Sequence, residues 1–266
     1  MMKTLVKLNK VLYRAGKNEF GPFNLSVSAG ERIAILGPSG AGKSTLLKLI
    51  SGEAHASSGV VELFGRDISE WTLAELSTQR AVLPQAHDVA FGLKVELIIG
   101  LGRVGRRYDP DLKNIVEQSA ALAHAQHLLH RSFDNLSGGE KARVHIARIF
   151  AQLWDVEDAL LLVDEPLAAL DPGLQFQLLD AILDFSIQRN IGVIAILHDV
   201  NHALREFERI WMVKESCLTG DYRSSAALLP KLESLYDIRF SSAMTSDGTQ
   251  MLFPVRNQHR LQEYGT

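Results

Sequence analysis

Residues 37–45 read Gly37-Pro38-Ser39-Gly40-Ala41-Gly42-Lys43-Ser44-Thr45, between an apolar run, Arg32 to Leu36, and a helix-like segment, Leu46 to Ile50. A strand that turns into a helix is the context a phosphate-binding loop requires. Glycines let the backbone wrap an anion with its N–H groups, and the helix offers its positive N-terminal end. We expect Lys43 to reach the β- and γ-phosphates and Ser44 to bind Mg²⁺. The alternative is a solvated glycine-rich turn.

Length and charge restrict the function further. The 266 residues suffice for one large α/β domain or two small ones. With 28 basic and 31 acidic residues the net charge is −3. The chain as a whole therefore lacks the excess of basic residues that is typical of proteins that coat nucleic acids. The single cysteine, Cys217, favours a reducing compartment, and we expect its thiol to be buried or idle.

No segment has the character of a leader or a membrane span. The stretch from Met1 to Lys7 is too polar and too short for a signal-peptide core. The longest apolar runs, Ala159 to Val163 and Ile191 to Leu197, are far shorter than the roughly 18 residues that a spanning helix needs. Any membrane role should therefore come through a partner.

Hydrophobic patterns predict an α/β fold with parallel strands. Strands are expected at residues 5–9, 23–27, 32–36, 59–65, 81–83, 159–163 and 193–197, and helices at 43–51, 113–130, 138–150, 172 to about 190, 201–207 and 226–236. Gly21-Pro22 is expected to form a turn. The region from about residue 89 to 150 is predicted to be a helical insert.

A second element, Leu161-Leu162-Val163-Asp164-Glu165, ends a buried strand. Neighbouring side chains in a strand point opposite ways, so these two carboxylates can be aimed at different atoms. We expect Asp164 to face the Mg²⁺, usually through water, and Glu165 to act as the general base on the attacking water. Two acids that cap the next helix would be the alternative for the pair alone.

A third element, Leu136-Ser137-Gly138-Gly139-Glu140, is by itself typical of a Ser-capped helix. It stands after the glycine-rich loop and before the acidic pair. With the three elements in that order, the sequence closely resembles the ATP-binding cassette (ABC) ATPase family over about residues 3–255. The resemblance implies an α/β P-loop NTPase cassette with a mostly parallel core sheet, an N-terminal antiparallel β-subdomain and a helical insert. We expect one ABC ATPase domain over residues 1–255, a helical subdomain at about 89–150, and a frayed tail at 256–266.

The resemblance also implies roles for single residues. Tyr13 matches the aromatic on which adenine stacks, a contact worth about 1–3 kcal/mol. Gln85, after Pro84, matches the glutamine that touches Mg²⁺ and water and opens the segment facing the transporter. His198 matches the switch histidine that contacts the γ-phosphate. The alternatives are a surface tyrosine, a solvated loop amide and a structural histidine.

Two further segments match parts of the family that act across a subunit boundary. Ser137, Gly138 and Gly139 match the signature, which binds the γ-phosphate of the nucleotide held by the opposite subunit. Ala168-Ala169-Leu170-Asp171 matches the subunit-crossing loop. The resemblance therefore implies a homodimer that holds ATP and Mg²⁺ in two shared sites.

The chain departs from the family pattern at two places. Lys141-Ala142-Arg143 stands where the family often has Gln-Gln-Arg, and Leu167 where serine or threonine is usual. Neither change touches a phosphate ligand, so hydrolysis is still expected. Contacts around the signature helix and the crossing loop are expected to differ.

His124, His127 and His130 recur every three residues on one predicted helix. A zinc site needs three or four converging ligands, and no acid or cysteine joins them at fitting spacing. The preferred interpretation is an exposed or partly buried helix face.

Short segments resemble the importer ATPase subfamily that serves haem, ferric siderophores and cobalamin. They are Ala90-Phe91, Ala151-Gln152-Leu153-Trp154 and Leu197-His198-Asp199-Val200-Asn201, of which residues 151–154 favour haem. The resemblance implies a peripheral subunit at the cytoplasmic face of the inner membrane. It would work with permease subunits, indirectly with a periplasmic binding protein, and with no nucleic acid.

Other functions stay open at this point. Siderophore or cobalamin import is one, and a soluble ABC ATPase acting on nucleic acid or ribosomes is another. The latter resemble paired cassettes or cassettes split by long coiled coils, whereas only 51 residues separate Gln85 from Ser137. A P-loop kinase would have no use for residues 136–140.

Overall fold

The computed structural model describes residues 3–84, 92–165, 170–246 and 248–255. Within them the strands are β1 (Thr4–Ala15), β2 (Asn18–Ser28), β3 (Arg32–Leu36), β4 (Ser58–Leu63), β5 (Arg66–Asp67), β6 (Arg80–Leu83), β7 (Leu160–Asp164), β8 (Gly192–Ile196), β9 (Arg209–Lys214), β10 (Cys217–Arg223), β11 (Arg239–Met244) and β12 (Gln250–Val255). The α-helices are α1 (Lys43–Ser51), α2 (Leu73–Gln79), α3 (Val95–Gly100), α4 (Leu112–Leu122), α5 (Gly138–Leu153), α6 (Pro172–Gln188), α7 (Val200–Glu206) and α8 (Leu229–Tyr236). None of the helices in these ranges combines the length and apolar character needed to cross a bilayer.

A six-stranded sheet with the order β10-β9-β3-β8-β7-β6 forms the centre of the fold. Its strands from β9 to β6 are mutually parallel, and only β10 runs antiparallel to its neighbour. All five residues of β8 are buried, as expected for a parallel strand covered on both faces. Because the strands are parallel, the carboxyl ends of β3, β7 and β8 meet at one edge of the sheet. The expected mostly parallel core is confirmed.

A separate four-stranded antiparallel sheet has the order β2-β1-β4-β5. Its apolar side chains, among them Leu5 and Val27, share one hydrophobic cluster with Ile33 and Ile35 of β3. The N-terminal sheet is thereby packed against the strand that leads into the glycine-rich loop, residues 37–45. This agrees with the expected N-terminal β-subdomain.

The expected turn at Gly21-Pro22 is wrong. The two residues lie inside β2, and the chain reverses instead at Gly16 and Lys17. The β1–β2 register shifts between the Val11–Phe23 and Tyr13–Phe20 pairs. An irregularity of this kind tolerates a proline, which cannot donate to a regular ladder.

The helical region contains α3, α4 and α5, with α5 packed against the other two. A single helix over residues 113–130 is not found, because α4 ends at Leu122 and His124 has a φ of 53°. A left-handed residue ends a helix as a C-cap glycine does. His127 follows in a 3₁₀ turn, so the three histidines do not share one helix face.

The C-terminal elements pack onto the core sheet and onto α7. The Asn201 side chain bonds both backbone groups of Leu252 in β12: Nδ2 donates to the carbonyl at 3.1 Å, and Oδ1 accepts from the N–H at 2.7 Å. Cys217 is exposed rather than buried, and its thiol donates to the Gly21 carbonyl at 3.2 Å. The predicted tail at 256–266 lies outside the described residues.

Candidate functional site

A cavity of about 500 Å³ opens where the glycine-rich loop joins β3 to α1. It is lined by Phe20, the loop residues from Ser39 to Thr45, Glu165 and His198. The first turn of α1 carries no acidic side chain and its N-cap makes no side-chain bond, so neither competes with an anion for the N–H groups and the positive end of the helix. The loop can therefore receive phosphate groups.

Gly42 is the N-cap of α1 and has a φ of 98°, a backbone conformation that residues with a side chain rarely adopt. A Cβ there would also lie 2.9 Å from the Phe20 ring. Only glycine fits both requirements. The Phe20 ring thus closes one side of the cavity.

Lys43 is buried and its ammonium group is held over the loop. Nζ donates to the carbonyls of Gly37 at 2.9 Å and Pro38 at 3.0 Å. An ammonium has three donors, so one remains for a ligand. Burial lowers the pKa of Lys43, and the charges of Glu165 and Asp164 oppose that shift. The two carboxylates therefore favour the charged lysine that a phosphate ligand needs.

Asp164 ends β7 beside the start of α1. Its Oδ1 accepts a hydrogen bond from Ser44 Oγ at 3.2 Å. Burial raises the pKa of Asp164, and the neighbouring charge of Glu165 adds to this, whereas the Ser44 hydrogen bond and the two lysines Lys48 and Lys43 lower it. Hydroxyl and carboxylate oxygens are hard donors of the kind Mg²⁺ prefers. The chemistry of this pair fits the cation.

We expect Asp164→Asn to raise the melting temperature of the nucleotide-free protein at about pH 8. The folded pKa of Asp164 lies above its unfolded value, so the charged carboxylate destabilises the fold once the pH exceeds the unfolded pKa of about 3.9. The gain should therefore shrink as the pH falls towards about 4. Thermal unfolding at both pH values tests this, with the exposed Asp180→Asn as control. A lower melting temperature at about pH 8 would contradict it.

Glu165 follows Asp164 with a φ of 47°, in the left-handed region. Such a conformation costs a non-glycine residue about 1–3 kcal/mol and persists only where its surroundings hold it. The Glu165 carboxylate lies 2.7 Å from His198 Nε2, at the end of β8. The Glu165 side chain is 12% exposed and that of His198 52%. Two strand ends thus bring a carboxylate and an imidazole together in the cavity.

Other residues singled out in the sequence lie away from the cavity. Ser137 is the N-cap of α5, where its Oγ accepts from the Glu140 N–H at 3.3 Å and its N–H donates to Glu140 Oε2 at 2.7 Å. Ser137 and Gly138 are exposed. Asp171 is an exposed N-cap of α6 that accepts from Leu174 N–H at 3.0 Å. Among the described residues, none of α5 or α6 lines the cavity.

Gln85, Ala168 and Ala169 lie outside the described residues. Tyr13 lies on β1, with its ring centroid 6.1 Å from that of Phe20, and only Phe20 lines the cavity. Phe20 was missed by sequence reasoning. Tyr13 and Phe20 are paired residues of β1 and β2. Both lie outside the shorter strands that the sequence pattern predicts, so the pattern did not indicate this pairing.

The known proteins and the family model that the chain matches all indicate the same family. A family model described as "ABC transporter" matches residues 20–168, more than half of the chain. The hemin import ATP-binding protein HmuV of Pseudomonas entomophila is 43% identical, over 76% of this chain and 80% of that protein. The protein of the same name from Pseudomonas aeruginosa is 41% identical, over 77% and 81%. That from Rhodopseudomonas palustris (strain BisB5) is 38% identical, over 87% and 89%.

Solved structures with similar folds include an inward-facing ABC transporter described as metal-chelate type. Its TM-score is 0.79 at 22% identity, over 96% of this chain and 98% of that one. A dimeric ATP-binding cassette bound to ADP and phosphate has a TM-score of 0.73 at 23% identity, over 84% and 100%. These likenesses confirm the expected α/β cassette fold. The family match and the relatives near 40% identity show that the chain belongs to the ABC transporter family, as an ATP-binding and ATP-hydrolysing member.

Proposed function

We propose that the chain is the ATPase subunit of a haem importer, and that it works as a homodimer attached to permease subunits. The observation that carries the ATPase site is the convergence of the glycine-rich loop, Asp164, Glu165 and His198 at the carboxyl edge of one parallel sheet. The cargo is supported by relatives near 40% identity that are named hemin import proteins.

In the proposed site the glycine-rich loop and Lys43 bind the β- and γ-phosphates. Adenine would stack on the ring of Tyr13, the neighbour of the cavity-lining Phe20. Ser44 and Asp164 would hold Mg²⁺, together with Gln85. When bound, the cation neutralises charge on the phosphate oxygens.

The proposed reaction transfers the γ-phosphoryl group to water. The water oxygen bonds to the γ-phosphorus while the bond to the β–γ bridging oxygen breaks. Glu165 accepts the proton that the attacking water loses. His198, 2.7 Å from Glu165, orients that carboxylate and offers its exposed ring to the γ-phosphate.

The dimer is proposed because Ser137 and Gly138 are exposed and do not line the cavity of their own chain. A head-to-tail second copy would bring the signature, Ser137 to Gly139, to the γ-phosphate. Asp171 would then lie close to the boundary between the two copies. Each cavity would be completed by the partner copy. ATP would then close the pair and hydrolysis would reopen it.

Residues 1–255 are proposed to be one ABC ATPase domain with its helical subdomain at about 89–150, followed by the tail at 256–266. The subunit would lie at the cytoplasmic face of the inner membrane, contact the permease through the segment after Gln85, and respond to a periplasmic haem-binding protein. The net charge of −3 gives no support to a nucleic-acid partner.

Reconstitution tests the cargo. The chain is purified with the membrane protein that co-purifies with it, placed in vesicles, and given the periplasmic binding protein loaded with haem, a ferric siderophore or cobalamin. We expect haem alone to stimulate ATP hydrolysis and to accumulate inside the vesicles. Stimulation by a siderophore or cobalamin alone would favour those alternatives. Recovery of ribosomes or DNA, without a membrane protein, would contradict the import function.

A further inference from the structure

Helix α7 begins two residues after His198, so its placement restrains the backbone that carries the His198 side chain. The helix has only seven residues, Val200–Glu206. Helices shorter than about 12 residues are marginally stable on their own in water, so α7 depends on contacts with other elements. These contacts therefore bear on the 2.7 Å approach of His198 to Glu165.

Asp199 caps the first turn of α7. Its Oδ1 accepts hydrogen bonds from the backbone N–H groups of Asn201 at 2.7 Å and His202 at 3.4 Å. His198 is the residue directly before this cap. A movement of the first turn would thus reach His198 through a single peptide bond.

The C-terminal hairpin of β11 and β12 holds the same turn of α7. The Asn201 side chain donates to the Leu252 carbonyl at 3.1 Å and accepts from the Leu252 N–H at 2.7 Å. Both backbone groups of Leu252 therefore point away from β11, and Asn201 pairs with β12 as a residue of a neighbouring strand would. Among the residues of β11 and β12, Leu252 alone is buried. The hairpin thus meets α7 at the point where it enters the core.

The other strand of the hairpin is held by α8. Glu233 of α8 accepts from the Phe240 N–H of β11 at 2.9 Å. Helix α8 is in turn tied to β9, because Lys214 Nζ donates to the Ser234 carbonyl and to Asp237 Oδ2, both at 2.8 Å. Strand β9 belongs to the core sheet, next to β3. The C-terminal elements therefore connect the core sheet to α7 without a break.

We propose that Asn201 is a positioning residue for ATP hydrolysis, which fixes the start of α7 to the C-terminal hairpin and thereby holds His198 against Glu165. Without the two hydrogen bonds the first turn of α7 can move relative to β8, and His198 leaves Glu165 for part of the time. Asn201 touches neither the nucleotide nor Glu165 in this scheme. The inference rests on the proposed role of His198 in orienting the general base.

The test compares Asn201→Ala and Asn201→Leu with the wild-type full-length chain. Both variants remove the two hydrogen bonds; leucine keeps the volume of the side chain, and alanine lets water reach the Leu252 backbone. Loss of two hydrogen bonds of ordinary strength should lower kcat about three- to thirtyfold. KM for ATP should change less than about twofold, because the phosphate-binding loop is untouched. Phosphate release measures turnover, and calorimetry measures ATP affinity.

Asn114→Ala is the matched control, at an exposed asparagine of α4 whose Oδ1 accepts from Gln118 Nε2 at 2.8 Å. This variant also loses a side-chain hydrogen bond on a helix, and it should keep the wild-type kcat and KM. A wild-type kcat in Asn201→Ala would overturn the inference, since the contact would then only anchor the hairpin. An equal loss of kcat in Asn114→Ala, or a rise in KM as large as the fall in kcat, would overturn it as well.

His198→Ala separates this inference from the proposed function. It should lower kcat more than Asn201→Ala does, and adding Asn201→Ala to it should lower kcat less than about twofold further, because both changes act through one group. Losses that multiply in the double variant would overturn the inference. Normal turnover in His198→Ala would show that the proposed role of His198 is wrong, and the inference would fail with it. Reduced turnover in His198→Ala with normal turnover in Asn201→Ala would refute the inference alone.

Discussion

Replacing Glu165 with glutamine is expected to leave ATP binding intact and to lower the hydrolysis rate by about 10²- to 10⁴-fold, the usual contribution of a positioned general base. Glutamine keeps the size of the side chain, but its amide cannot accept the proton of the attacking water. The backbone φ of 47° is equally unfavourable for both residues, so the change should act on chemistry rather than on folding. Phosphate release and ATP titration measure the two effects separately.

The same variant should accumulate a closed dimer in ATP, because closure needs the nucleotide and reopening needs its hydrolysis. Size-exclusion chromatography with and without ATP would detect this species. Glu157→Gln, an exposed glutamate shortly before β7, makes the same chemical change outside the cavity and should behave as wild type. Turnover close to normal in Glu165→Gln would mean that another group takes the proton.

The second large effect concerns the two halves of the proposed shared site. Lys43→Ala removes the donor held by Gly37 and Pro38 and should abolish turnover. Gly138→Asp should also abolish turnover, although, among the described residues, a Cβ at Gly138 would have no atom within 4 Å apart from its chain neighbours and the backbone of its own helix. An acid in the first turn of α5 even suits the helix, so the variant is expected to fold. Its carboxylate would instead repel the γ-phosphate held by the partner copy.

Mixing these two inactive variants should restore part of the activity. A mixed dimer contains one cavity with an intact Lys43 facing an intact signature. If pairing is random and the two cavities act independently, roughly a quarter of wild-type turnover is expected in an equal mixture. Two Lys43→Ala preparations mixed together are the control and should stay inactive. Normal turnover in Gly138→Asp alone would show that the site is complete within one chain.

Local patterns were enough to place the central elements. The apolar run at 32–36 became β3, and the helix after the glycine-rich loop runs from Lys43 to Ser51 and is followed by the left-handed Gly52. The buried runs that end at Asp164 and His198 became β7 and β8. In each case an apolar run and the polar residue or glycine that ends it lie within a few residues of one another. The element can therefore be located from the sequence alone.

Features that depend on distant partners could not be predicted in this way. Gly21-Pro22 stays within β2 partly because the Gly21 N–H donates to the Ser216 carbonyl at 2.8 Å. The break in the helical region occurs at His124, a residue type with no strong turn preference. Phe20 reaches the glycine-rich loop only through the packing of whole elements. Sequence patterns locate the ends of strands better than they locate the neighbours that hold those ends.

In the core sheet β3 lies between β8 and β9, although it precedes both by most of the length of the chain. During synthesis Leu36 leaves the ribosome long before Gly192 and Arg209, so the strand that carries the glycine-rich loop has no sheet partner until late. Until then its apolar edge is open to aggregation or to a chaperone. A nascent chain stalled before residue 192 should contain the whole loop and still fail to bind ATP. The part of the nucleotide site that is made first is thus among the last to become functional.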